Sequence, residues 1–173
     1  MNSRRFIILS KRGVYMFREM RLKKQELSPE ASIEVLNNGT SGVLAVSEDN
    51  DYPYAIPLSY VYYDSKIFFH CAKVGHKLDV IAKNSKVSFC VIDLDNVVPE
   101  EYTTYFRSVI VFGKVRILED EVEKRNALEK LAAKYSPDHE QGRLQEIDKQ
   151  FKHVCLIELA IDHMTGKEAS ELV

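Results

Sequence analysis

The sequence predicts a mainly β chain with inserted helices (α+β), its antiparallel strands curled into a closed or split β-barrel rather than laid out as a parallel sheet. Three observations carry that expectation. Residues 52–63 and 155–161 alternate large apolar side chains with smaller or polar ones at period two. An Asp64-Ser65 turn folds the first run onto Lys66–Cys71 as a hairpin. The helical stretches are few and are inserted between strands.

Ser28-Pro29-Glu30 opens the first helix with an N-cap hydroxyl, a proline at the first helical position and an acid. Asn38-Gly39 ends it, which sets its span at 29–38. Gly42 to Ser47 reads as a strand, stopped by the turn cluster Glu48-Asp49-Asn50-Asp51. In 52–63, Tyr54, Ile56, Leu58, Tyr60 and Tyr62 share one face, and Ala55, Pro57 and Ser59 the other. Pro57 has no ladder donor, so it marks an edge, a bulge or a place where a ligand meets the backbone. Gly75 to Asn84 is a short helix with Leu78, Ile81 and Ala82 on one side. Val87 to Leu94 is a strand. Tyr105 to Leu118 is the longest strand, apolar on both faces around Ile110, Val111 and Phe112, as a barrel wall covered by a partner would be. Residues 119–135 return to helical period with Leu128, Leu131, Ala132 and Tyr135. A polar helix or loop follows, and Cys155, Ile157, Leu159 and Ile161 make the closing strand.

With 173 residues, 45% hydrophobic and 29% charged, the chain is expected to form one domain, 16–173, behind a disordered or loosely docked extension over 1–15. Residues 1–24 hold eight basic residues against one Glu, and the remainder carries a net charge of −9. A body so acidic argues against a nucleic-acid groove, where phosphate contacts dominate. No apolar run approaches the roughly 18 residues that cross a bilayer. Cys71, Cys90 and Cys155 match no zinc or redox spacing, which points to a reducing cytoplasm and no metal.

The stretch Ile67-Phe68-Phe69-His70-Cys71-Ala72-Lys73-Val74-Gly75-His76-Lys77-Leu78-Asp79 is the richest in chemistry. A strand ends in polar residues, a glycine permits a tight turn, and a helix starts with basic side chains. Unpaired N–H groups, the helix dipole and a lysine together favour an anion such as phosphate, although many such joins bind nothing. In Tyr105-Phe106-Arg107-Ser108-Val109-Ile110-Val111-Phe112-Gly113, the arginine within an apolar strand needs a carboxylate, a phosphate or solvent. Alternation sends Arg107 and Ser108 to opposite faces.

Read in order, Tyr52-Pro-Tyr-Ala-Ile-Pro-Leu-Ser-Tyr-Val-Tyr, Phe69-His-Cys-Ala-x-x-Gly-His-Lys-Leu-Asp and Phe106-Arg-Ser-Val-Ile-Val-Phe-Gly resemble the pyridoxamine 5′-phosphate oxidase-like flavin-binding split barrels. The chain is most similar to their nitroimidazole-resistance branch, over about residues 16–164. The resemblance implies a six-stranded split barrel and a homodimer with FMN, or FAD as in some relatives, in two clefts at the subunit interface. Ile56, Pro57, Leu58 and Ser59 would lie along the isoalloxazine edge, with His70, Cys71 and Ala72 beside them. Gly75, His76 and Lys77 would clamp the phosphate, His76 standing where the oxidase pattern has arginine. Arg107 and Ser108 would complete the cofactor site from another wall or subunit. His70 is the expected catalytic proton donor, since its ordinary pKa suits donation near neutrality; the alternative is a histidine that only hydrogen-bonds flavin or backbone. Cys71 is expected to pack or touch flavin. The substrate-binding Arg/His segment of the vitamin oxidases is not evident in Leu159 to Val173.

The function implied is a flavin-dependent reductase that passes electrons from a nicotinamide donor to a small oxidised acceptor such as a nitroaromatic. Two other readings stand beside it. One is a non-catalytic flavin or haem binder with His70 or His76 as axial ligand; the other is an interaction protein with an empty cleft.

Overall fold

The structure, a computed structural model, describes residues 8–10, 13–15, 17–47 and 52–173. The turn cluster expected at 48–51 lies outside the described residues, as does much of the extension expected over 1–15. The described part of that extension pairs β1 (Ile8–Ser10) with β2 (Gly13–Tyr15).

Ser28 caps α1 (Pro29–Asn38) as its pattern requires, accepting the Ala31 N–H at 3.1 Å, and Gly39 closes the helix by donating to the Val35 carbonyl. The chain then lays down β3 (Ser41–Ser47), β4 (Pro53–Ser59), β5 (Val61–Tyr63), β6 (Lys66–Ala72), α2 (His76–Lys83), β7 (Lys86–Val98) and β8 (Thr103–Ile117). Helices α3 (Glu121–Tyr135) and α4 (Glu140–Gln150) precede the last strand, β9 (Val154–Glu168). One antiparallel sheet runs in the order β4-β3-β7-β8-β9-β6-β5. The α+β expectation holds; among the described residues this sheet has seven strands, not six.

The seventh strand arises because 52–63 is not one strand. Its first half pairs with β3 and its second half with β6, at opposite ends of the sheet. Tyr60 is the joint between them. It is fully buried, its hydroxyl donates to the Leu36 carbonyl (2.8 Å), and its N–H donates to the Tyr135 hydroxyl (2.9 Å). Lys134 lies over the Tyr60 ring, 4.1 Å from its centroid, and donates to the Gly39 carbonyl (2.6 Å). The two edge strands are therefore consecutive in the chain, and the sheet curls until they meet. At the following hairpin, Asp64 and Ser65 both adopt left-handed φ (51° and 58°), the twist a two-residue loop needs.

Alternation sorts the side chains as expected. Leu44, Val46, Ile67, Phe69, Phe89, Val91, Val109, Val111, Ile157 and Leu159 fill the interior of the curl. A second core forms outside β6 and β9, where Val61, Phe68 and Leu156 meet Leu118, Ala127, Leu128, Leu131 and Ile147. Two-faced burial explains why Cys155–Leu159 is covered at every position. Of the helix faces read from sequence, Leu78 and Ile81 are buried in α2, but Ala82 is exposed and Val80 takes its place. In α3, Leu128 and Leu131 are buried, whereas Tyr135 turns partly outward to reach the Tyr60 joint.

Glu158 sits in the outer layer, where Arg116 (2.8 Å and 2.9 Å) and Lys66 (3.0 Å) both hydrogen-bond its carboxylate. Burial pushes this carboxyl up, and the two cations more than offset it, holding the group below its ordinary range.

Candidate functional site

The chemistry gathers at the C-terminal end of β6. Core packing of Ile67, Phe69 and Cys71 fixes the pleat, so His70 and Ala72 face outward and are exposed. The exposed Lys73–Gly75 connection follows. Gly75 has φ 144°, a conformation that side chains rarely adopt, and a Cβ built there would meet nothing within 4 Å. The turn is thus open on that side. Leu78 N–H returns to the Gly75 carbonyl (2.9 Å) as α2 begins, with His76 and Lys77 in the first turn. The His76 ring packs against Tyr54 of β4 at 5.0 Å between centroids.

Lys77 is close enough to influence both neighbours on β6. Burial, and secondarily the Lys77 charge, pulls the His70 pKa below its ordinary value. His70 is therefore predominantly the neutral imidazole at neutral pH. Cys71 is turned the other way, into the core, and burial pushes its thiol up to about 11 against the opposing pull of Lys77. The structure thus brings His70, Gly75, His76 and Lys77 together, with Ala72 at the strand end and Cys71 behind them.

On β4, Ile56 is buried and Leu58 half-buried against the core, so their side chains point away from any outer ligand. Pro57 and Ser59 face outward. Because β4 is an edge strand, alternate backbone groups on its free side have no ladder partner. This run presents main chain and the small side chains of Pro57 and Ser59 outward. Pro57 begins a row in register across five strands: Pro57, Val43, Cys90, Ile110 and Thr165. Val43, Ile92, Ile110 and Phe112 leave that outer face apolar and exposed, and Phe17 stacks on His163 (4.6 Å) beside Phe112.

Arg107 and Ser108 stand elsewhere. Tyr54, Val46, Val87 and Gly113 lie in one register row beside α2, and Arg107 is six residues farther along β8. At the strand rise that is roughly 20 Å away. There Arg107 pairs with Glu168 (2.9 Å) and Asp93 (3.4 Å), the carboxylates its apolar strand demanded. Glu168 was not legible as that partner, because nothing local sets the register of β8 against β9. Among the described residues no group of three or more His, Cys, Asp or Glu side chains is placed to hold a metal ion, and no helix is long and apolar enough to cross a membrane.

The fold is a curled antiparallel sheet with a glycine turn at the end of one strand and an edge strand beside it. A family model described as pyridoxamine 5′-phosphate oxidase matches residues 28–168, and the chain belongs to that family. Among curated proteins no match is found. Solved structures share the fold. A candidate 5-nitroimidazole antibiotic resistance protein from Bacteroides thetaiotaomicron superposes with TM-score 0.69 at 20% identity, covering 83% of this chain and 86% of that one. The FAD and heme binding protein from Mycobacterium smegmatis gives TM-score 0.71 at 23% identity over 85% and 74% of the two chains. A FAD-binding protein from Mesorhizobium loti gives 0.60 at 24% identity, covering 84% and 98%.

Proposed function

We propose that this chain is a flavin-dependent oxidoreductase acting as a homodimer, with FMN or FAD held between the β6–α2 turn and β4. The observation that carries the reading is the cluster of His70, Gly75, His76 and Lys77 at an open turn, in a chain of this family. These residues fit the group. The Gly75 turn is open to an incoming phosphate, and Lys77 supplies a compact charge at a helix start. The edge strand β4 offers backbone donors and acceptors to ring heteroatoms. When bound, flavin supplies two-electron transfer between a nicotinamide donor and a small oxidised acceptor, with a nitroaromatic as the acceptor suggested by the nitroimidazole-resistance resemblance.

The protein's own part is binding, orientation and proton control. Lys77 and the first turn of α2 hold the phosphate. Pro57 and Ser59 give the ring edge a small-sided wall. His70 contributes its imidazole to the acceptor side, and because its pKa is low it acts mainly as a neutral hydrogen-bonding group at neutral pH. Arg107 and Ser108 reach this cofactor from the second copy, whose apolar sheet face covers Val43, Ile92, Ile110 and Phe112. Counting β4 and β5 as one bent strand would bring this seven-stranded sheet to the six strands expected of the family's split barrel. Three unlinked thiols support a reducing, cytoplasmic setting.

The test is the visible spectrum of the purified protein, followed by release and chromatography of whatever colours it. Stoichiometric flavin supports the reading; a haem band or a colourless protein that refuses both flavins overturns it. Lys77→Ala should then weaken flavin binding by about 10- to 150-fold, the equivalent of about 1.5–3 kcal/mol for a charge-assisted hydrogen bond. Unchanged affinity would remove Lys77 from the site.

A further inference from the structure

Cys71 and Cys155 are far apart in sequence but directly opposite each other in the β6–β9 register. Both side chains pack against the same core. All three cysteines are unlinked. Residues directly opposite in an antiparallel pair place their Cα atoms about 4.5–5.5 Å apart, inside the range a disulfide spans. Cys71 is only half-buried, and Cys155 lines a cleft of about 410 Å³ with Lys73, Leu78 and Val154. Cys90 lies on the outer face, in register with Val43 and Ile110, away from the pair.

We propose that Cys71 and Cys155 form a redox-active dithiol that a small hydroperoxide converts to a disulfide linking β6 to β9 beneath the Gly75 turn. The Cys71 thiolate attacks the outer peroxide oxygen; the S–O bond forms, the O–O bond breaks, and the alcohol (water, for hydrogen peroxide) leaves. Cys155 sulfur then attacks the resulting sulfenic acid, the S–S bond forms, and the hydroxyl departs with the Cys155 proton as water. Two thiols are oxidised by two electrons and one peroxide is reduced. Burial keeps Cys71 protonated at neutral pH while Lys77 favours its thiolate, so the pair rests in the reduced form and reacts slowly until the thiolate is populated. The bond would join the strand that ends at His70 and Ala72 to its neighbour β9, and so stiffen the turn that carries Lys77. This inference stands on the register alone and does not need the flavin reading.

The native full-length protein is incubated with hydrogen peroxide at about pH 8.5, where more thiolate forms. It is then denatured, its free thiols are counted, and its peptides are mapped before and after reduction. The expected result is a fall from three thiols to one, with Cys71 and Cys155 in one reducible cross-linked peptide and Cys90 free. Cys71→Ser should keep both remaining thiols, whereas Cys155→Ala should form no cross-link and lose one thiol, as sulfenic acid at Cys71. A wild-type count that stays at three, a link through Cys90, or sulfinic acid at Cys71 without a cross-link would each overturn the proposal.

Discussion

Replacing Tyr135 with phenylalanine tests the joint on which the curled sheet depends. The hydroxyl accepts the N–H of fully buried Tyr60 (2.9 Å) and hydrogen-bonds the Thr40 carbonyl, with the Tyr60 carbonyl also in range (3.1 Å). Phenylalanine keeps the ring and removes both the acceptor and the donor. Each intramolecular bond lost costs about 1 kcal/mol net, and a donor stranded away from water about 1–3 kcal/mol. Tyr135 is itself 38% exposed, so water can reach part of the gap and the cost should lie near the lower end, about 2 kcal/mol. In a chain of this size, each kcal/mol lowers Tm by roughly 2–4 °C. Y135F should therefore melt roughly 4–8 °C below wild type, with the urea midpoint shifted and its slope unchanged. A variant within about 0.5 kcal/mol of wild type, an ordinary surface effect, would show that the joint is held by packing alone.

Three further outcomes follow from the charge environments. Glu158 has a folded pKa below its unfolded value of 4.5, so it adds stability above that value and loses it as pH falls through the folded pKa. E158Q should flatten the stability curve below about pH 4.5 in acid titration monitored by circular dichroism. Lys134 is lowered by burial from 10.5 to about 8, so the unfolded chain binds the extra proton between those values and stability should rise across that interval; K134M should abolish the rise in urea midpoints measured at pH 8 and 10. If His70 delivers a proton as the imidazolium, acceptor reduction should fall as pH rises through a value below 6.5, and H70N should lose that limb while retaining flavin; a profile unchanged in H70N would leave His70 as a binding group only.

Helix α1 was legible to the residue, because its cap, its proline and its terminal Asn-Gly are all local signals. The Asp64-Ser65 hairpin was legible for the same reason. Tyr60 was not. Its side chain continues the alternation of Tyr54, Ile56 and Leu58, and the break concerns which neighbour the backbone pairs with, a non-local choice. The lengths of β7 and β9 were under-read because both continue past their apolar stretch, into Asp95–Val98 and His163–Glu168, where pairing with β8 rather than burial keeps the chain extended. At the site, the Gly75–Lys77 turn was readable from a strand, a glycine and a helix start in succession. That Cys71 turns inward toward Cys155, and Arg107 toward Glu168, depends on registers that only the folded sheet defines.

Strand β9 is last in sequence yet lies between β8 and β6 in the sheet. During synthesis, then, β6 waits with an unpaired edge while residues 73–153 are added, and β8 waits through α3 and α4. The β5–β6 and β7–β8 hairpins can form early, but the sheet cannot become continuous until the C-terminal segment leaves the ribosome and inserts. A fold completed this way is slow for its size, and its incomplete forms display two open strand edges to any neighbouring chain. A truncation that removes β9 should therefore yield an aggregating product rather than a smaller folded domain.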